Sequence, residues 1–328
     1  MAKSRQRSAA QRREQARQQR QLRMSSSQGG RSNNIRRKTS RNYSWMFIGG
    51  IVVMVALVIG GFVLLKQWQN ASLMAGSDQA EQTIKTVNTG ILSTIGPGSA
   101  KSTLQPISDA PLKGPSGKPA VLYIGGEYCP YCAAQRWGIV NSLSRFGQFG
   151  PLEPVVSSEQ NVPTFSFHNI QYTSQYIDFV AFEAQDNSTP PKPMDTVPNQ
   201  YQQIMAKYGQ QTGGGIPFLS IANQQVSAGA YYQPDVLVGH SYENINEQLK
   251  DPNTDIARGV YGTANILTAA ICTALKNQPA SVCNDPTIQQ IQKTPKASLA
   301  PGGQLASGGA QLQDILPAQM ERRDRFAL

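Results

Sequence analysis

The chain has 328 residues, of which 39% are apolar and 15% are charged, and this composition excludes collagen, a coiled coil and a wholly disordered chain. The formal net charge of +10 is unevenly spread, because residues 1–41 carry +12 and the remaining residues carry −2. A nearly neutral remainder argues against a folded nucleic-acid-binding domain.

Residues 1–44 consist mainly of Gln, Arg and Ser, with too few apolar side chains to offset the entropy lost on folding. We therefore predict a disordered basic arm. Such an arm favours the cytoplasmic side of a membrane, where it also contacts anionic lipid. RNA binding through the arginines is the alternative, although no aromatic side chain is interleaved among the bases before Tyr43.

An uncharged apolar run of 21 residues extends from Trp45 to Leu65, between Arg41 and Lys66. As a helix it would span roughly 30 Å, the thickness of the hydrocarbon core of a bilayer. A cleaved signal peptide has a shorter apolar stretch and less sequence before it, so an uncleaved transmembrane helix is favoured. The charge before the run predicts a single-pass protein of the cell membrane, with its N-terminus in the cytoplasm and its C-terminal domain extracytoplasmic.

The remaining elements follow in chain order. Residues 66–115 are predicted to form a juxtamembrane helix, which is a stalk or a docking helix, and a linker rich in Gly, Pro and Ser. The main domain is predicted at residues 116–284, with alternating strands and helices that indicate an α/β layer fold. Its predicted strands are 120–125, 155–156, 177–182, 218–222 and 226–231, and its predicted helices are 130–146, 200–208, 241–250 and 255–275. Residues 285–328 are predicted to be a flexible tail.

All four cysteines follow the apolar run, as an oxidising compartment permits. Cys129-Pro130-Tyr131-Cys132 stands between a predicted strand and a predicted helix. If Cys129 caps this helix, Pro130 fits the first helical position, and free backbone N–H groups and the helix dipole stabilise a thiolate on Cys129. Cys132, one turn along, would then resolve the mixed disulfide. This chemistry requires the sulfur of Cys129 to lie at the helix start and to be reachable from solvent.

Two other interpretations of this motif are half of a zinc site and a purely structural disulfide. Zinc needs a second pair of ligands, but Cys272 and Cys283 do not have the spacing of a zinc knuckle. His168 and His240, the only histidines, do not lie in ligand-spaced motifs. We therefore expect redox chemistry without a metal.

The order of a strand, the Cys129–Cys132 motif, a helix, further strands and Ile216-Pro217 before a strand resembles the thioredoxin superfamily. The dipeptide between the cysteines is similar to that of dithiol glutaredoxins and of exported disulfide oxidoreductases. Over roughly residues 70–284, which contain GKPAVLYIGGEYCPYCAAQRW and ICTALKNQPASVC, the chain resembles an uncharacterised family of membrane-anchored thioredoxin-like proteins of archaea and bacteria, a domain of unknown function. The resemblance implies a thioredoxin-like mixed sheet flanked by helices.

The resemblance also implies that the peptide bond before Pro217 is cis and that this residue offers its backbone to a substrate strand. Cys132 and Pro217 are farther apart than in a minimal thioredoxin, which implies an insertion near residues 184–212. Tyr128 replaces the Trp that precedes the first cysteine of thioredoxin, and this departure argues against a glutathione site.

Four further residues have two interpretations each. Cys272 and Cys283 are expected to form a structural disulfide that ties the last helix to the following loop, and an electron relay with the first pair is the alternative. Glu127 is a candidate proton shuttle for Cys132 or an exposed loop acid. His168 is a pH-sensitive neighbour of the site or an ordinary hydrogen-bonded histidine.

These observations together predict a membrane-anchored, extracytoplasmic thiol–disulfide oxidoreductase, with Cys129 as nucleophile and Cys132 as resolving thiol. No cofactor is required, because the dithiol itself stores the electrons. The expected partners are exported proteins with thiols or disulfides, a membrane redox partner and the lipid bilayer. The alternative is a non-catalytic thioredoxin-like binding or assembly factor in which the two cysteines form a structural disulfide.

Overall fold

The computed structural model describes residues 41–209 and 215–294, except for the side chains of residues 41–47, 63, 66–67 and 69–70. The sequence-based predictions for residues 1–40, 210–214 and 295–328 therefore lie outside the described residues. Backbone contacts divide the chain into two units, with the boundary between Phe62 and Val63.

The first described helix, α1, is Arg41–Met74. It contains the predicted apolar run, and it also includes residues 41–44, which were predicted to belong to the disordered arm. Among the described residues, no helix is both long enough and apolar enough to cross a membrane. The predicted span 45–65 includes several side chains that lie outside the description.

The remaining elements belong to the second unit. Its helices are α2 (Ser77–Lys85), α3 (Thr89–Ile95), α4 (Pro130–Leu143), α5 (Asn199–Tyr208), α6 (Tyr242–Leu249), α7 (Asp255–Ala274), α8 (Ala280–Cys283) and α9 (Pro286–Lys293). Its strands are β1 (Gln105–Pro106), β2 (Ala120–Gly125), β3 (Gly147–Phe149), β4 (Glu153–Val156), β5 (Pro163–Ser166), β6 (Tyr172–Ser174), β7 (Asp178–Glu183), β8 (Phe218–Ile221) and β9 (Gln225–Ala228).

A five-stranded mixed sheet in the order β1-β9-β8-β2-β7 forms the centre of this unit. Strand β2 pairs in parallel with β7, from Ala120 opposite Asp178 to Gly125 opposite Glu183, and it pairs antiparallel with β8. Two small sheets, β3–β6 and β4–β5, lie apart from it. The predicted α/β architecture, a mixed sheet flanked by helices, is confirmed at this level.

Strand β2 is buried along its whole length because both faces of the sheet are covered. Successive side chains of a strand point to opposite faces. Val121 and Tyr123 accordingly belong to one apolar cluster, and Leu122 and Ile124 belong to another. Helix α4 contributes Trp137 to the first cluster, which is the larger one. Strand β2 thus ends between two packed layers, and the cysteine motif follows directly.

The predicted start of the domain near residue 116 is wrong. Ile84 of α2 and Leu92 of α3 are buried in the larger cluster, so both helices belong to the core. The predicted linker is also attached to the sheet, because β1 pairs with β9 and Leu112 N–H donates to the Ala222 carbonyl at 3.1 Å. A segment rich in Gly, Pro and Ser can pack in this way when its backbone groups find partners.

The predicted flexible tail begins too early. Asp285 caps α9 by accepting the N–H groups of Thr287 and Ile288, and Ile288 and Ile291 are buried against α7. Ile288 and Ile291, three residues apart in a Gln-rich segment, form too short an apolar pattern to predict a helix from the sequence.

Candidate active site

The cysteine motif lies at the junction of β2 and α4. Cys129 is the N-cap of α4, with extended backbone angles, and Pro130 is the first helical residue. The sulfur of Cys129 accepts the backbone N–H of Cys132 at 3.3 Å. The predicted position of Cys129 at the helix start is therefore confirmed, and the local reason is the one expected from the sequence: a capping acceptor followed by a proline that needs no N–H.

Both thiols are free and both are buried. Cys129 is 2% exposed and Cys132 is 0% exposed, so the expectation of a sulfur reachable from solvent is not met. Cys129 belongs to the smaller apolar cluster, together with Tyr128 and Ile216. A Cβ built on Gly126 would lie 2.8 Å from Tyr128 Cε1 and 3.4 Å from Ile216 Cδ1. These two side chains thus pack over the turn that leads into the motif.

The two thiols have opposite pKa shifts. Burial raises the pKa of Cys129, but the hydrogen bonds from the side chain and backbone of Cys132 and the charge of Arg136 outweigh burial and leave this pKa below its ordinary value. Burial, the hydrogen bond to Cys129 and the negative charge on Cys129 raise the pKa of Cys132 well above its ordinary value. Cys129 is therefore the group that ionises first.

Pro217 lies next to this turn through its neighbour Ile216. The Ile216–Pro217 peptide bond is cis, as the resemblance implied. The Pro217 carbonyl accepts the N–H of Gly229 at 2.9 Å, directly before the β8–β9 pairing begins at Phe218. The contact of Ile216 with Gly126 brings this cis peptide to the loop that carries the cysteines.

A buried ion pair beneath the motif was missed by the sequence analysis. Arg136 of α4 and Glu183 of β7 are both 0% exposed, and they form two hydrogen bonds of 2.9 and 2.7 Å. Arg136 also donates to the hydroxyl of Tyr123 and to the carbonyl of Gly126. The available signal was an arginine four residues after Cys132 in the predicted helix, and an acid, Glu183, directly after the predicted apolar strand 177–182.

Glu127 is not an exposed loop acid, because it is only 7% exposed. Its carboxylate accepts a hydrogen bond from the hydroxyl of Ser166, and its backbone N–H donates to Gln185 at 3.0 Å. Burial raises the pKa of Glu183, and the negative charge of Glu127 adds to this rise. Its role as a proton shuttle for Cys132 stays a prediction.

His168 is a hydrogen-bonded histidine linked to the same strand. Its Nδ1 lies 2.6 Å from an oxygen of Asp195, whose second oxygen accepts the N–H of Glu183 at 2.7 Å. Its backbone N–H donates to the hydroxyl of Ser166 at 3.1 Å. His168 is thus connected to the backbone of Glu183 in β7 through Asp195. These contacts fit its interpretation as an ordinary hydrogen-bonded histidine.

Cys272 and Cys283 form the expected disulfide, with an S–S distance of 2.00 Å and a Cα–Cα distance of 5.5 Å. The bond joins α7 to α8. Both residues belong to the larger apolar cluster, whereas Cys129 and Cys132 belong to the smaller one. An electron relay between the pairs stays a prediction. Within the described ranges, no three His, Cys, Asp or Glu side chains gather as potential metal ligands.

Fold and site together define a mixed α/β domain with two buried thiols at a strand-to-helix junction. A family model described as a domain of unknown function, DUF929, matches residues 107–273, which is half of the chain. The chain belongs to this family. Comparisons with curated proteins and with solved structures yield no match.

Proposed function

We propose that this protein is a thiol–disulfide oxidoreductase that acts on the thiols or disulfides of exported proteins. The observation that carries the proposal is the position of Cys129, whose sulfur caps α4 and accepts the N–H of Cys132 at 3.3 Å. A helix start stabilises a thiolate, and the thiolate is the form that attacks disulfides. The lowered pKa of Cys129 likewise favours its thiolate form.

The reaction with a disulfide partner has two steps. The Cys129 thiolate attacks one sulfur of the partner, so that a mixed disulfide forms and the partner's other sulfur leaves as a thiolate. The charge on Cys129 is then gone, and one of the causes that raises the pKa of Cys132 is removed. Cys132 loses its proton and attacks Cys129, which releases the partner as a dithiol. Two electrons pass from Cys129 and Cys132 to the partner, and the reverse sequence oxidises a partner.

A thioredoxin-like arrangement of the sheet is part of the proposal. Its support is the strand order, in which β2 precedes the cysteine motif, β7 is parallel to it and β8 and β9 form an antiparallel hairpin after the cis-proline. In this arrangement Pro217 faces the dithiol and offers its backbone to a substrate strand. We further propose that the apolar run 45–65 anchors the protein in the cell membrane, next to a membrane redox partner, with the sheet on the extracytoplasmic side.

The burial of Cys129 does not meet the requirement that its sulfur be reachable from solvent, so the proposed function depends on a movement that exposes it. Because the residue is 2% exposed, a partner sulfur reaches it only after neighbouring side chains move, and we propose that these are Tyr128 and Ile216, which pack near Gly126 in the same apolar cluster as Cys129. Backbone contacts of a substrate strand with the segment at Pro217 would provide this displacement. We therefore expect the protein to react readily with partners that bind next to Pro217. Small disulfides make no such contacts and are expected to react slowly.

The test is a Cys132→Ala protein expressed with its native partners and analysed by non-reducing electrophoresis and mass spectrometry. Without the resolving thiol, mixed disulfides through Cys129 are expected to accumulate. The matched control is the double variant Cys129→Ala/Cys132→Ala, which is expected to trap nothing. Equal capture by the two variants would contradict the proposal.

The burial of both cysteines favours a second candidate, a binding or assembly factor in which Cys129 and Cys132 form a structural bridge. Such a bridge resists mild reductants, and its removal lowers stability without an effect on redox chemistry. A measured reduction potential near those of structural disulfides, together with the absence of trapped partners, would establish this candidate in place of the enzyme.

A further inference from the structure

Arg136 occupies an unusual position for a cation. It follows Cys132 by four residues on α4, so both side chains lie on the same face of the helix. Its guanidinium is completely buried, and Nε and Nη2 form the paired hydrogen bonds with the carboxylate of Glu183. The cation is thus held at a fixed place directly behind the motif.

The same guanidinium is tied to the loop that carries the nucleophile. Nη2 of Arg136 donates to the Gly126 carbonyl at 2.8 Å, and the N–H of Cys129 donates to the same oxygen at 3.3 Å. Nε also contacts the hydroxyl of Tyr123 at 3.1 Å. A single carbonyl oxygen therefore joins the backbone of Cys129 to the positive charge.

As a purely structural contact, this arrangement would lower the stability of the fold. Nη1 of Arg136 is buried and has no hydrogen-bond partner among the described residues. A buried donor without a partner destabilises a fold, and a buried ion pair is often replaceable by apolar side chains without loss of stability. An electrostatic effect on the neighbouring thiols gives a reason for keeping the charge.

The charged and titratable groups in the region of the two thiols come from five segments of the chain. They are Arg136 of α4, Tyr123 of β2, Glu183 of β7, Glu127 in the preceding loop, Tyr131 at the helix start and Asp235 in the segment after β9. The positive charge of Arg136 lowers the pKa of both thiols, whereas the negative charge of Glu183 raises the pKa of Cys132. Arg136 is the cation in this set.

We propose that Arg136 is a positioning residue, whose buried guanidinium, fixed by Glu183, Tyr123 and the Gly126 carbonyl, supplies the positive charge that stabilises the thiolate of Cys129. Glu183 orients the guanidinium. The inference deepens the proposed function and rests on it for the use that is made of the thiolate, but the charge effect itself is measurable without any partner.

The experiment uses the full chain in the Cys132→Ala background, where Cys129 is the only free thiol, and follows the ultraviolet absorbance of the thiolate against pH. The Cys129→Ala/Cys132→Ala protein serves as the blank. We expect Arg136→Met to raise the midpoint by about one pH unit or more, as the loss of an adjacent opposite charge does. Arg136→Lys retains the charge and is expected to hold the midpoint within about half a unit. An unchanged midpoint in a natively folded Arg136→Met protein would overturn the inference.

A second pair of variants covers the case in which Arg136→Met alone does not fold. Glu183→Gln and the double variant Arg136→Met/Glu183→Gln differ only in the cation, and the double variant removes both charges of the buried pair. The double variant is expected to have the higher midpoint by about one unit, and equal midpoints would overturn the inference. Failure of the trapping test with these shifts intact would reject the oxidoreductase and leave the charge effect standing.

Discussion

Cys129 combines two properties that oppose each other at the scale of a single residue. Its sulfur accepts a backbone N–H at the start of α4, which favours the thiolate, while its 2% exposure disfavours any charge. The pKa of Cys129 is lowered on balance, because the Cys132 side chain and the cation of Arg136 add to the cap and outweigh burial. The groups that favour the ionised form of Cys129 therefore belong to the protein and not to water.

The opposite shifts of the two thiols predict a pH dependence for the stability of the reduced protein. Between the lowered pKa of Cys129 and the ordinary thiol pKa of about 8.5, the folded state has lost a proton that the unfolded state keeps, so the free energy of unfolding rises with pH. Above the ordinary value, the unfolded state loses the Cys132 proton before the folded state does, and stability falls. Denaturant unfolding of the reduced protein at several pH values should show this maximum.

Cys129→Ala is the control for this pH dependence. It removes the group with the lowered pKa, so the rise below the ordinary thiol pKa is expected to disappear. An identical rise in Cys129→Ala would assign the effect to other groups and contradict the pKa shift.

Residue positions were predictable from the sequence where the signal is local. The cap at Cys129 and the helical start at Pro130 follow from neighbouring residues alone, and both are confirmed. The pairing of Arg136 with Glu183 was not predictable, because the two residues are 47 positions apart and meet only through the alignment of β7 with β2. The burial of Cys129 likewise depends on residues that are distant in sequence. A local pattern contains no information about such register.

At the scale of elements, helices α4 and α7 pack closely against each other. A Cβ built on Gly138 of α4 would lie 2.3 Å from Cγ2 of Thr263, so the two helices approach at a position where only glycine fits without movement. A Cβ built on Gly262 of α7 would likewise lie 2.3 Å from the carbonyl oxygen of Pro97. Helix α7 thus packs against both the helix of the cysteine motif and the segment after α3.

Gly138→Ala is therefore expected to destabilise the protein. The added methyl group forces Thr263 or the helices to shift, which costs about 1–3 kcal/mol for overpacking. The measurement is the free energy of unfolding in denaturant. Gly90→Ala in α3 is the matched control, because its added Cβ meets only the Asn88 side chain at 3.4 Å and gains helix propensity of up to about 1 kcal/mol. A Gly138→Ala protein as stable as wild type would contradict the packing.

The same scale shows which elements sequence patterns detect. The long apolar strand β2 and the amphipathic helix α7 were predicted close to their observed bounds. Strands β3, β5 and β6 have three or four residues each and were missed, because so short a segment does not show a period. Their pairing is decided by partners that are distant in sequence.

At the scale of the whole molecule, the folded unit begins well before the predicted boundary at residue 116. Helices α2 and α3 contribute Ala80, Ile84 and Leu92 to the larger apolar cluster. Burial of each large aliphatic side chain contributes about 1.5–3 kcal/mol, so the segment is a substantial part of the stability. The composition of residues 96–119 indicated a linker, but composition does not reveal backbone partners such as those of Leu112 and β1.

Chains with different starting residues test both the boundary and the proposed anchor. A chain that begins at Ala71 lacks the apolar run but keeps α2 and α3, and we expect it to be soluble and to unfold cooperatively. A chain that begins at Ser116 loses the buried side chains of both helices and is expected to be unstable or to aggregate. The full chain is expected to sediment with membranes and to resist salt extraction.

Each part of this test has its own contrary result. Equal stability of the two shortened chains would show that α2 and α3 are not part of the core. Release of the full chain from membranes by salt would reject the apolar run as an anchor. Circular dichroism, denaturant unfolding and membrane fractionation are the measurements.

The burial of Cys129 and Cys132 has a kinetic consequence. A dithiol that is shut away from the surrounding liquid equilibrates slowly with dissolved oxidants and reductants. Whatever oxidation state the last docked protein leaves behind would then persist until the next one arrives. The oxidation state of the dithiol would therefore depend on its last protein partner and not on the reduction potential of the medium.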